Sequence, residues 1–248
     1  MSHRATSPMA TAKQQIREQI WTLLETRHAV KPGVSGRIPA FHGADRAAAR
    51  LATLPYWTAA TVIEANPDRA QLPVRVLALD AGKTIYMAVP NLASGQPFYL
   101  LDPDDLPVPT ATAATHQGAA GFAPTIAATD MLPVDLVVCG SVAVNPDGVR
   151  IGKGAGYSDL ELALLAESGR IGPHTTIVTT VHPLQVVDGP LPEDDHDVRV
   201  DAIITTDAVI TCPTGRAVPT LRWDRLTPAK IAAIPVLAEL AAHRANGR

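Results

Sequence analysis

The spacing of apolar residues along this 248-residue chain changes several times, and each change marks an element. Ile16, Ile20, Leu23 and Leu24 recur at helical spacing, which predicts an amphipathic helix from Thr11 to about His28. Lys13 and Arg17 are four apart and share a face beside that stripe. Lys31–Phe41 holds two prolines and two glycines and reads as loop. Asp45–Leu54 predicts a short alanine-rich helix with Asp45 as its cap. Thr58–Ala65 reads as a strand ended by Asn66-Pro67-Asp68. Val74–Leu79 and Thr84–Val89 read as two strands about a tight turn at Asp80-Ala81-Gly82-Lys83. Phe98–Leu101 adds a short strand. Residues 102–130 are rich in Pro, Thr, Ala and Gly and read mostly as loop, with one helical turn near Ala111–His116.

Val134–Val144 is a buried-strand pattern that leads straight into a glycine-rich loop. Ser158–Ser168 follows as a helix ending at Gly169. Thr176–Val181, Ala202–Thr205 and Ala208–Thr211 are further strands. Thr227–His243 is a last helix, kinked or delayed by Pro235. The strand–loop–helix–strand rhythm after residue 134 predicts an α/β fold with a mostly parallel, helix-flanked sheet. One domain is expected over residues 12–245, after a small, polar, disordered N-terminus at 1–11.

Composition narrows the partners. With 46% hydrophobic and 18% charged residues, the chain can bury a substantial core. Its net charge of −3 and its lack of a basic stripe exclude the electrostatic footprint of a nucleic-acid binder. The longest apolar run, near Leu136–Val144, is too short to cross a bilayer, and no signal-like segment opens the chain. These absences predict a cytoplasmic protein that engages neither membrane nor nucleic acid. The two cysteines, Cys139 and Cys212, read as buried hydrophobes, not as a disulfide framework.

The candidate chemistry lies in Gly148–Asp159, where four glycines and two cations, Arg150 and Lys153, precede a helix. Backbone N–H groups at a helix N-terminus cradle anions, and a nucleotide is the obvious phosphate source. A Walker loop needs four residues between Gly and Gly-Lys, and here there are three. Gly152-x-Gly154-x-Gly156 also departs from the dinucleotide spacing.

The run Arg150-Ile151-Gly152-Lys153-Gly154-Ala155-Gly156-Tyr157-Ser158-Asp159 does resemble the signature of 5-formyltetrahydrofolate cyclo-ligases, also called methenyltetrahydrofolate synthetases. Lys13-Gln14-Gln15-Ile16-Arg17 is similar to that family's first helix, and Val134–Val138 to its strand before the loop. Residues 196–205 and Gln185 are similar to its C-terminal segment. Ile38-Pro39, Val142-Ala143-Val144 and Tyr157-Ser158-Asp159-Leu160-Glu161 resemble a diverged branch, the methenyltetrahydrofolate synthetase domain-containing proteins.

The resemblance implies a three-layer αβα sandwich, like that of sugar-phosphate isomerases and CoA transferases. It also implies ATP- and Mg²⁺-dependent closure of 5-formyltetrahydrofolate to 5,10-methenyltetrahydrofolate. On that reading Lys13, Arg17, Arg150 and Lys153 hold ATP phosphates, with backbone from Gly152, Gly154 and Gly156. Lys153 and Tyr157 stand at the reacting junction, and Asp159 and Asp197 hold Mg²⁺. From the residues alone each has a plainer role: a solvated cationic face for Lys13 and Arg17, a core aromatic for Tyr157, a helix-start carboxylate for Asp159 and a loop carboxylate for Asp197.

The folate half departs from the family pattern. Ser158 replaces a second Tyr, Leu160 an Arg, and Gln71-Leu72-Pro73-Val74-Arg75 lacks a Glu. Ala123-Pro124 lacks a carboxylate, and Cys139-Gly140-Ser141-Val142-Ala143 replaces a Pro-Gly segment. A second expectation therefore stands beside the ligase: a nucleotide- or folate-binding protein on the same fold without cyclisation.

Overall fold

A computed structural model describes residues 7–246. The first helix, α1 (Pro8–Thr26), begins where the Ser7 hydroxyl accepts a hydrogen bond from the Ala10 N–H at 3.1 Å. Residues 7–11 are thus ordered into its first turn, and the rest of the expected disordered terminus lies outside the described residues. Lys13, Arg17, Ile20, Trp21 and Leu24 form its buried face. The two cations extend the apolar stripe instead of flanking it.

Two short helices follow, α2 (Ala44–Leu51) and α3 (Pro55–Ala59). Gly43, at φ +87°, occupies the cap position of α2, and Asp45 sits in its first turn. The strand β1 (Val62–Ala65) comes next, then α4 (Leu72–Asp80) and β2 (Thr84–Ala88). The strand expected at Val74–Leu79 is therefore helix. Its alternating run is ambiguous in isolation. What decides is that β1 and β2 pair in parallel, which demands a crossover. Pro73 starts that helix, and Val74, Arg75, Ala78 and Leu79 form its buried face.

β3 (Phe98–Leu101) returns antiparallel to β2. The expected loop at 102–130 instead folds into α5 (Thr110–Ala113), α6 (His116–Phe122) and the edge strand β4 (Thr125–Ile126). β5 (Leu136–Cys139) is shorter than the sequence pattern. After Gly140 and Ser141 the chain forms a hairpin of β6 (Ala143–Val144) and β7 (Arg150–Ile151). Gly148, at φ +82°, turns that hairpin, where a Cβ would lie 2.4 Å from the Val200 carbonyl. It does not belong to the cradle, which begins at Gly152.

α7 (Tyr157–Glu167), β8 (Thr176–Thr180), β9 (Ala202–Ile204) and β10 (Val209–Thr211) follow. Pro235 divides the last helical region into α8 (Pro228–Ala233) and α9 (Pro235–Asn246). The sheet order is β10-β9-β8-β5-β1-β2-β3-β4, with the five strands from β9 to β2 parallel. Strand alternation divides the core. Ile63, Ile85, Leu136 and Val178 pack toward α1, α2 and α4, while Val62, Tyr86, Val137 and Ile177 pack toward α7, α8 and α9. The result is a three-layer αβα sandwich. Cys139 and Cys212 are both free and buried, and burial pushes each thiol up to about 11. No helix among the described residues is long and apolar enough to cross a membrane.

Candidate functional site

The parallel strands β1, β2 and β5 end at the N-terminus of α7, the end of an α/β sheet where ligands bind. A cavity of about 270 Å³ opens there, lined by Ile38, Asn66, Asp68, Val89, Lys153, Tyr157 and Glu161 among others. A broader groove of about 870 Å³ continues past Asp68, His116 and Lys153 toward Val30–Arg37. On the cavity rim Asn91 and Leu92 adopt positive φ (+57° and +52°), a strained conformation for a leucine.

The loop from Gly152 to Gly156 forms the cationic side of the cavity. Gly154 (φ +107°) and Gly156 (φ +66°) adopt left-handed backbone, and Gly156 caps α7. Arg17 Nε donates to the Gly152 carbonyl at 2.7 Å, and its guanidinium lies 3.4 Å from the Cβ position of Gly154. Lys153 Nζ, on a side chain 40% exposed, pairs with Asp68 Oδ1 at 2.9 Å. Lys230, from α8, donates to the Ala155 carbonyl at 3.1 Å and stands 5.4 Å from the Tyr157 ring centroid. Arg17, Lys153 and Lys230 thus surround a helix N-terminus. This set fits phosphate oxygens.

Arg150 occupies a different place. It is 3% exposed, and its guanidinium runs beneath the loop. It donates to the Val198 carbonyl at 3.1 Å, the Gly140 carbonyl at 3.3 Å and Asp159 Oδ1 at 2.7 Å. Its guanidinium lines the inner wall of the cavity and holds the loop base to α7. Lys13 is likewise committed, bonded to Asp194 Oδ2 at 2.9 Å and to Asp197 Oδ2. Burial disfavours its ammonium, but the two carboxylates outweigh burial and hold its pKa above the ordinary lysine value.

The expected Mg²⁺ carboxylates are therefore divided. Asp159 accepts from Arg150 and from the Val198 N–H at 3.1 Å. Asp197 accepts from Lys13 and the Asp194 N–H at 2.7 Å. Asp194, His196 and Asp197 do bring ligand atoms within 4.8 Å of one another, but the Lys13 ammonium sits on two of them. As arranged, these side chains fit an ion-pair network and not a Mg²⁺ cage.

Asn66 and Glu161 line the cavity, and Glu64, Gln71 and Arg75 are buried near them. Asn66 Oδ1 accepts from the Gly140 N–H at 2.8 Å and the Ser158 hydroxyl at 3.2 Å. Arg75, 1% exposed, donates to the carbonyls of Asn66 and Asp68 and to that of Ala114 at 2.8 Å. It fixes the 66–68 segment that presents Asn66 and Asp68. Gln71 is buried and donates to the Thr180 hydroxyl at 3.1 Å. In the 71–75 segment, which lacks the family's Glu, Gln71 is closed into the core while Leu72 and Arg75 also line the broader groove. Glu64 and Glu161 are buried side by side, and desolvation pushes Glu161 up to about 7 and Glu64 well above the usual carboxylate range. Two signals bore on these residues: Asn-Pro-Asp after a strand, and a lone Glu inside an apolar strand.

Comparison with known proteins agrees with this architecture. The solution structure of Aquifex aeolicus 5,10-methenyltetrahydrofolate synthetase shares the fold, with a TM-score of 0.53 and 21% identity over 85% of this chain and 98% of that one. The methenyltetrahydrofolate synthase domain-containing protein of Mus musculus is 40% identical over 242 residues, covering 92% of this chain and 63% of that protein. Its Homo sapiens counterpart is 36% identical over 247 residues, covering 94% and 62%. The chain thus spans somewhat less than two thirds of the length of these relatives. The model of the 5-formyltetrahydrofolate cyclo-ligase family matches residues 9–206, and the chain belongs to that family.

Proposed function

We propose that this chain uses ATP to close 5-formyltetrahydrofolate to 5,10-methenyltetrahydrofolate. The observation that carries the reading is the convergence of Arg17, Lys153 and Lys230 on the Gly152–Gly156 loop, beside a cavity with apolar walls. Phosphoryl transfer needs mainly positioning and charge neutralisation, and these residues supply both. ATP supplies the phosphoryl group that turns the formyl oxygen into a leaving group.

Lys153, the most exposed of the three, releases Asp68 and takes a phosphate oxygen. The Gly154 and Gly156 amides and the α7 dipole hold the transferred charge. Tyr157, the first residue of α7, forms the wall between nucleotide and ring. The N10 amine of the substrate then attacks the activated carbon, its proton leaves, and inorganic phosphate departs. Arg150 and Lys13 act as positioning residues in this scheme, and Mg²⁺ travels on the nucleotide. A reducing, cytoplasmic setting suits the two buried thiols.

The test is a coupled assay for methenyltetrahydrofolate absorbance and ADP release. Turnover supports the reading. A folded protein that binds ATP without cyclising the folate defeats it. The second reading, a binding protein without ligase activity, is favoured by one observation: the segment that lacks the family's Glu has its Gln71 side chain closed into the core, bonded to Thr180. ATP binding with no turnover is its outcome.

A further inference from the structure

The cavity of about 270 Å³ and the groove of about 870 Å³ meet at a common wall. Ile38, Pro67, Asp68, His116 and Lys153 line both spaces. Four of these five are anchored. Ile38 is buried in the core. Pro67 and Asp68 belong to the 66–68 segment, whose carbonyls Arg75 holds. His116 opens α6 and sets its ring edge-on to Tyr99, 6.2 Å between centroids.

Lys153 is the exception. It lies between glycines, on a side chain that is 40% exposed. Among the described residues its ammonium bonds only to Asp68 Oδ1, at 2.9 Å. The pair thus bridges the glycine loop and the segment after β1, across the boundary between cavity and groove. A part-exposed ion pair is easily broken. Asp68 is not stranded when it breaks, because the buried Arg75 charge acts on it as well. An anion in the loop competes directly for Lys153, since its oxygens offer a charge-assisted hydrogen bond and Arg17 and Lys230 flank the same loop.

We propose that Asp68 is a positioning residue and that its pair with Lys153 is a latch. Closed, the latch divides the cavity from the groove. An anion at Gly152–Gly156 takes Lys153 and joins them into one space for a second ligand. The anion and the second ligand therefore bind with positive coupling, and the coupling is equal in both directions. Its size is bounded by the preference of the pair for its closed state, roughly fivefold for a part-exposed pair.

The latch does not depend on the cyclo-ligase reading, so its first test uses no folate. Inorganic tripolyphosphate is titrated by calorimetry into the full chain as wild type, Asp68→Asn, Lys153→Met and the double variant. Removing the Asp68 charge relieves its repulsion of the anion whether or not Lys153 is present. A latch adds a second gain, because Lys153 is released in advance. Asp68→Asn should therefore improve tripolyphosphate affinity by roughly fivefold more with Lys153 present than in the Lys153→Met background. An equal or smaller gain with Lys153 present overturns the proposal, as does a wild type that binds no tripolyphosphate.

The second test rests on the cyclo-ligase reading and titrates 5-formyltetrahydrofolate with and without saturating tripolyphosphate. Wild type should bind the folate roughly fivefold tighter with the anion present, and Asp68→Asn should show no dependence on it. A wild type indifferent to the anion, or a dependence that survives in Asp68→Asn, overturns the latch. Turnover of ATP and folate without this coupling defeats the latch and leaves the ligase standing. Coupling without turnover supports the latch and defeats the ligase.

Discussion

The loop at Gly152–Gly156 and the floor at Glu64 and Glu161 adjoin the same helix, α7, yet they are opposite electrostatic environments. The loop is open, cationic and built largely from backbone. The floor is buried, acidic and built from side chains. Charge near water is cheap to hold and weak, and the loop gathers three cations, Arg17, Lys153 and Lys230, around it. Charge away from water is costly and strong, so burial pushes the Glu64 and Glu161 carboxyls toward their neutral forms. Arg150 lies between them, tying loop, sheet end and α7 together through Gly140, Val198 and Asp159.

Four perturbations test this contrast, and the largest effect falls on the tie itself. Arg150→Met removes one partner of a buried ion pair and strands two carbonyls. We expect a loss of about 3–5 kcal/mol of stability, read as a lowered unfolding midpoint. A variant as stable as wild type would mean that loop and floor stand independently.

Glu161→Gln comes next. Glu161 has a folded pKa of about 7, above the usual carboxylate value, so the native state keeps a proton that the unfolded chain releases. Wild-type stability therefore falls as pH rises from about 4.5 through about 7, then levels. The glutamine variant lacks that loss. Urea unfolding should show its relative stability improving by on the order of 3 kcal/mol between pH 4.5 and pH 8. Parallel pH curves would remove the buried charge from the floor.

Lys153→Ala should spare the fold and weaken ligand binding. Its pair with Asp68 is part-exposed, so stability should change by less than about 1 kcal/mol. ATP affinity should fall about tenfold by titration calorimetry, which is about 1.4 kcal/mol. Unchanged affinity would take Lys153 out of the phosphate site. Lys230→Ala is the mildest: loss of its contacts with Tyr157 and Ala155 should weaken ATP binding roughly threefold. An effect as large as that of Lys153→Ala would give α8 an equal share in the site.

The contrast also explains which parts could be read early. The loop announces itself locally, because glycines and cations adjoin in the chain. The helix from Ser158, the strands at 98–101 and 176–181, and the break at Pro235 follow from local periodicity and are present. Gly148 misled because adjacency cannot separate a hairpin turn from a cradle. Val74–Leu79 misled because its helical state depends on parallel pairing of flanking strands. Arg150 and Lys13 look like surface cations until burial and their carboxylate partners are known.

By itself, the sequence determined the α/β class, the parallel core and the place of the glycine-rich cationic loop, since those rest on periodicity and contiguous residues. Only the tertiary structure decided what each charge faces. It turned Arg150 and Lys13 inward, brought Lys230 across from α8, and set Glu64 against Glu161 from 97 positions away. A charge takes its role from its surroundings in space, and spacing along the chain carries almost nothing of those surroundings.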